Sequence, residues 1–119
     1  MDSNRLLEQI RNHSDYKKVG MVLCHQGVVR STSRDGKPVR GLRVTVDSKK
    51  LEQVISEHKA RHGITEILVE INADRDLTVG DDVMVLVVAG DFRENVIATL
   101  SDTLNAIKTT VTQKTEYLI

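Results

Sequence analysis

The residues best suited to chemistry lie near the end of this 119-residue chain. Arg93 opens a helix-like segment, Lys108 closes it, and Lys114 follows on a strand-like tail. The fixed fork of guanidinium donors suits a phosphate or carboxylate. A lysine can serve as acid, base or amine nucleophile when its pKa is lowered. Arg93 falls in the first turn of its helix, where a cation opposes the macrodipole. The free N–H groups there attract an anion, so an arginine at that place points to one. Lys108 at a helix C-terminus and Lys114 on a terminal strand also have plain explanations, as dipole complement and edge protection. Arg30, at the end of the first strand, reads as solvated when taken alone.

Other candidates are weaker. His58 and His62 stand four apart on a helix, but Lys59 occupies the place where zinc proteases carry glutamate, and no third ligand is evident. No metal site is expected. Cys24 sits mid-strand and is expected to be a small buried hydrophobe. Its neighbour His25 should point to the opposite face, which makes a Cys24–His25 dyad geometrically poor. Neither a Walker nor a Rossmann glycine loop is present.

Composition narrows the function classes. Seventeen Lys and Arg balance seventeen Asp and Glu, so no global basic field favours nucleic acid. Aromatic residues are 3% of the chain, with no Trp, which disfavours base-stacking platforms. A single cysteine excludes an internal disulfide. The longest apolar run, Val83 to Ala89, is too short to cross a bilayer, and the N-terminus lacks a signal-peptide core, so a cytoplasmic protein is expected.

The elements that must position these groups follow from periodicity. Residues 3–12 read as a short helix capped by Ser3, with Leu6, Leu7 and Ile10 as its apolar stripe. Residues 19–30 and 39–46 read as strands, and Gly27 suggests a bulge. Asp35-Gly36 signals a turn between them, so a hairpin is expected with Arg34 and Lys37 at its tip. Ser48 to His62 is an amphipathic helix with Leu51, Val54, Ile55 and His58 on one face, stopped by Gly63. Ile64 to Ile71 is a strand, and Asp74 to Asp82 a polar turn. Val83 to Ala89 is expected at a sheet centre, buried on both faces. A second long helix starts at Asp91, with Glu94 completing a capping-box-like pair. Its inner stripe is read as Val96, Ile97, Leu100, Leu104 and Ile107. Residues 111–118 are the final strand. The result is one α+β domain over residues 1–119, a mixed or antiparallel sheet carrying two long helices, with residues 1–15 as an N-terminal helical extension.

Four segments in order resemble the large, catalytic subunit of molybdopterin synthase, the MoaE family. They are Gln26-Gly27-Val28-Val29-Arg30, Val39–Val46 with the following helix, Leu77-Thr78-Val79-Gly80-Asp81, and Phe92-Arg93 through Lys108 to Lys114 and Glu116. The resemblance implies a MoaE-like α/β hammerhead fold and a homodimer. Each large subunit would take the Gly-Gly thiocarboxylate tail of a small ubiquitin-like (MoaD-like) sulfur carrier, giving a heterotetramer. Sulfur would pass twice to cyclic pyranopterin monophosphate, forming the molybdopterin dithiolene, with no tightly bound cofactor. Lys108 and Lys114 would be the catalytic lysines, and Arg30 and Arg93 would hold the substrate phosphate. His25 would line the substrate site where the family has an aromatic residue.

Three departures accompany the resemblance. Phe92 replaces the family's histidine, and Thr112-Gln113 replaces its proline and tryptophan before the second lysine. The two lysines are six residues apart rather than seven, which on a strand would turn one of them to the other face unless a bulge or altered turn intervenes. A non-catalytic paralogue acting as a pterin- or partner-binding module is therefore the alternative, and an unrelated α+β ligand-binding domain is a third reading. Arg93 and Lys108 lie fifteen residues apart on one helix. That is roughly 22 Å at 1.5 Å per residue, so one small ligand could meet both only if Arg93 came from a neighbouring subunit.

Overall fold

The computed structural model describes residues 1–119. Its central feature is strand β5 (Asp82–Gly90), in which Leu86, Val87, Val88 and Ala89 are all fully buried. A strand apolar on both faces must be covered on both. β1 (Met21–Val28) and β3 (Ile64–Ile71) flank it in antiparallel register. On one face α2 (Ser48–Lys59) and α3 (Arg93–Ala106) contribute Val54 and Val96 to a core with Ile67, Met84, Leu86 and Val88. On the other, α1 (Ser3–Arg11) packs Leu6 and Ile10 against Val85, Val87 and Ala89.

A second antiparallel sheet has the order β4-β2-β6, formed by β2 (Val39–Val46), β4 (Asp76–Thr78) and β6 (Thr112–Leu118). Val29, Leu42, Val44 and Leu77 form its own buried cluster. The α+β architecture with antiparallel sheets and packed helices is as the sequence implies. No helix is long and apolar enough to cross a membrane.

Several local expectations are corrected. The β1–β2 hairpin does not form: β1 lies along β5, while β2 lies between β4 and β6. Only the isolated Thr32–Pro38 bridge remains between their ends. The apolar β5 recruits β1 because it needs cover on both edges, and alternation within β1 cannot reveal that partner. The expected polar turn at Asp74–Asp82 contains the strand β4, whose Leu77 is buried beside Leu42.

Helix ends also differ. Asp2, not Ser3, caps α1, its carboxylate accepting the Asn4 N–H at 2.9 Å. Asp47 caps α2 through the Lys50 N–H at 3.1 Å. Asp91 and Glu94 form no capping box. Phe92 is the N-cap, Asp91 accepts from the Phe92 N–H and the Asn95 amide, and Glu94 pairs with Arg93. Ile97 is 50% exposed, while Thr99 and Thr103 are buried. The inward row is thus Val96, Thr99, Leu100, Thr103, Leu104 and Ile107, and Ile97 lies about 100° round the helix from Val96. Thr103 is accommodated because its hydroxyl donates to the Thr99 carbonyl at 2.6 Å.

Cys24 is exposed rather than buried. It lies on the β1 face that α1 covers, but nine residues of helix reach only part of that face. Gly27 does mark a bulge, where the β1–β5 register shifts between Gly27 and Val28.

Candidate functional site

Two features bring the terminal lysines together. α3 does not stop at Lys108 but runs into a π turn, Ile107–Val111, and β6 begins at Thr112. A π turn closes i→i+5 bonds and so accommodates an extra residue in the coil. Ile107 and Val111 are buried in the main core and fix the turn. β6 then pairs with β2 so that Lys114 lies opposite Val44 and Thr112 opposite Val46. A further tie holds this edge strand in place, as the Tyr117 hydroxyl donates to Asp76 of β4 at 2.7 Å.

Lys108 and Lys114 consequently line one cavity of about 350 Å³ between the two sheets. Its apolar wall includes Leu42, Val44, Ile71, Val83 and Met84, and His25 and Gly27 come from β1. Arg34, from the loop between β1 and β2, completes the polar set. No Asp or Glu lines this space, and none of Arg34, Lys108 and Lys114 forms an ion pair within the chain. A partly apolar cavity with three uncompensated cations has the chemistry to hold an anion that carries an apolar body.

His25 is half-buried there. Burial, and secondly the positive charge of Lys108, pull its pKa below the usual imidazole value. Neutral His25 is thus favoured, leaving one ring nitrogen able to accept a proton. Gly27 lies beside the ring, where a Cβ would make ordinary contact with His25 Nε2 at 3.6 Å. Cys24 belongs to the opposite face of β1, and partial burial pushes its thiol pKa up. It is therefore neither activated nor aimed at the cavity.

The two other arginines singled out by sequence lie elsewhere. Arg30 is exposed just beyond β1, and its Nε donates to the Thr32 carbonyl at 2.8 Å. Arg93 stands at the far end of α3 and pairs with Glu94 at 3.2 Å, both side chains largely exposed. Within one chain the cavity therefore unites His25, Lys108 and Lys114, without Arg30 or Arg93. Sequence alone does not distinguish Arg34, because its loop reads as a hairpin tip. The local signal was the Arg34-Asp35-Gly36-Lys37 run, but its direction depends on how the two sheets close. His58 is turned inward on its own helix, its Nδ1 lying 2.7 Å from the Val54 carbonyl.

A wider, open cleft of about 570 Å³ lies by the π turn, lined by Thr45, Asp47, Lys50, Thr109, Thr110 and Gln113 among others. Its one acid is committed to capping α2, and it holds no imidazole or arginine. The smaller cavity is the better candidate on chemistry.

Comparison with known proteins bears on the family and the fold. The family model described as "MoaE protein" matches residues 1–110. No individual curated protein matches the chain. Among solved structures, molybdopterin synthase from Staphylococcus aureus superposes with a TM-score of 0.79 at 20% identity, over 100% of this chain and 86% of that one. A molybdopterin biosynthesis MoaE protein from Burkholderia ambifaria gives 0.78 at 20% identity, over 96% and 75%. The complex of subunits 1 and 2 of molybdopterin-converting factor from Helicobacter pylori gives 0.74 at 18% identity, over 99% and 80%. At such identities the structural likeness speaks for the fold, and the family match, spanning all but the last nine residues, carries the relationship.

Proposed function

This chain belongs to the MoaE protein family, with a role in molybdenum cofactor biosynthesis, and we propose on that premise that it is the sulfur-transferring large subunit of a molybdopterin synthase. Its substrate would be cyclic pyranopterin monophosphate, and its sulfur donor the Gly-Gly thiocarboxylate tail of a small ubiquitin-like carrier. The observation that carries this reading is the convergence of Lys108 and Lys114 on one acid-free cavity.

The chemistry suits those groups. Opening a cyclic phosphate and replacing oxygen by sulfur on the pterin side chain develop negative charge and require proton movement. Two ammonium groups in a half-apolar cavity stabilise that charge better than they would in water. Neutral His25 can take or relay a proton beside Lys108. The apolar wall of Leu42, Val44 and Met84 gives a pterin a surface to lie on.

Arg30 and Arg93 belong to the same reading as phosphate ligands. Arg30 keeps its terminal nitrogens free of any ion pair within the chain. Arg93 would enter from a second copy of the chain, in a homodimer whose two sites are composite. Exposed Phe92 and Ile97 beside Arg93, at 68% and 50% exposure, suit a face covered by that copy. Two small carriers on such a dimer give a heterotetramer.

Phe92 at the place of the family's histidine favours a second reading, a non-catalytic paralogue that binds pterin or partner without turnover. One assay separates the two. The purified chain is mixed with thiocarboxylated carrier and the cyclic pterin, and dithiolene product is measured. Product formation that Lys114→Ala abolishes supports the enzyme. Pterin binding without product establishes the paralogue, and unchanged turnover in Lys114→Ala removes that lysine from the mechanism.

A further inference from the structure

The loop between β1 and β2, residues 31–38, is built rather than loose. Ser33 is buried, 7% exposed, and its hydroxyl donates to Asp35 while accepting the Lys37 N–H at 3.0 Å. The Ser33 N–H donates to the Lys37 carbonyl at 2.8 Å, and the Gly36 N–H to the Ser33 carbonyl at 3.0 Å. Gly36 takes φ +85°, a left-handed conformation that glycine adopts without strain. Outside this turn, Arg30 braces the strand through the Thr32 carbonyl at 2.8 Å.

That construction sorts the loop's charges. Asp35 pairs with Lys37 at 3.6 Å, and the Ser33 hydroxyl is the leading cause that lowers the Asp35 pKa. Asp35 is thus held as a carboxylate facing Lys37. Arg34, its other neighbour, makes no ion pair and lines the cavity that holds Lys108 and Lys114. A guanidinium with no acid of its own is carried on a preformed turn to the wall of an acid-free space.

We propose that Arg34 is a substrate-binding residue whose guanidinium takes a phosphate group in this cavity, which it lines together with the two lysines. This deepens the sulfur-transfer reading and rests on it for the identity of the phosphate's bearer. Three cations and no carboxylate match the charge of a phosphate dianion better than that of a single carboxylate. The planar fork can engage two phosphate oxygens at once, which an ammonium cannot. Because the turn is already hydrogen-bonded, little ordering is needed on binding. The chain thereby supplies from its own loop a guanidinium that Arg93, at the far end of α3, cannot provide within one subunit.

The test titrates the full chain with inorganic phosphate, and separately with acetate, following heat or amide shifts. Wild type should bind phosphate more tightly than acetate. Arg34→Gln should weaken phosphate binding by about 10-fold or more, the range of a charge-assisted pair. Arg34→Lys should fall between, and Lys37→Gln should match wild type. A thermal melt verifies that each variant is folded. With carrier and cyclic pterin, Arg34→Gln should raise KM more than it lowers kcat. Wild-type phosphate affinity in folded Arg34→Gln overturns the proposal, as does absence of phosphate binding by wild type or equal affinity for acetate. Arg34-dependent phosphate binding in a chain that makes no dithiolene upholds Arg34 and rejects the sulfur-transfer reading instead. Turnover with KM and phosphate affinity both indifferent to Arg34 does the reverse.

Discussion

Lys108 and Lys114 share one cavity although they lie six residues apart on different elements, Lys108 within the π turn and Lys114 on β6. The π turn matters because a strand alternates faces. A one-residue change in the lead into β6 would exchange the faces of Lys114 and Gln113. The buried pair Ile107 and Val111 holds the wider turn in place, so the core sets the lysine geometry.

The coupling between Lys108 and His25 can be measured directly. Burial lowers the His25 pKa first and Lys108 second. Lys108→Ala should therefore raise the imidazole pKa part of the way toward 6.5, without reaching it. An NMR titration of the His25 ring reads this. A pKa that does not move would show that the ammonium lies outside electrostatic reach.

The same residue gives stability a pH dependence. Its folded-state pKa lies below the ordinary 6.5, so between those two values the unfolded chain binds more protons. Stability contributed by neutral His25 is present above 6.5 and lost as pH falls through that window. His25→Gln should flatten the slope in urea midpoints measured on the acid side of neutrality. An unchanged slope would assign the effect to other groups.

Gly63 joins α2 to β3 with φ +80°, and a Cβ there would collide with the Asp91 carboxylate and the Asn95 amide. Those two groups hydrogen-bond each other at 2.9 Å at the start of α3, and the Asn95 amide is the leading cause that lowers the Asp91 pKa. Gly63→Ala should thus cost about 1–3 kcal/mol through strain and displacement. Urea denaturation measures it, and a loss under about 0.5 kcal/mol would mean that the turn relaxes freely.

Subunit mixing tests the composite site. If Arg93 acts in the neighbour's cavity, Arg93→Ala and Lys114→Ala dimers are each deficient. After exchange of subunits, mixed dimers carry both lesions in one site and none in the other. Random reassortment should then restore about a quarter of the wild-type sites. Restoration of activity distinguishes this from an Arg93 that acts within its own chain, where mixing restores nothing.

Patterns of one or two turns were legible from residue types alone. The inward stripe of α2, the Ile67, Val69 and Ile71 face of β3 and the doubly buried β5 follow from period and composition, because local burial must match local geometry. The cationic candidates Lys108 and Lys114 were visible too, through their positions at a helix end and on a strand. Partner choice was not. Alternation in β1 is satisfied equally by β2 or β5, and only the need to cover both edges of β5 decides between them. Leu77 looked like part of a turn until β2 paired with it. Cys24 looked buried because its neighbours are apolar, yet α1 is too short to cover it. Arg34 shows the distinction most clearly: its sequence places it on a turn, but the closing of two sheets around one cavity brings it to the same lining as the lysines. Residue types determine which local structures are favourable. Direction and company are set by long-range packing, where segments far apart in the chain compete for the same apolar surface.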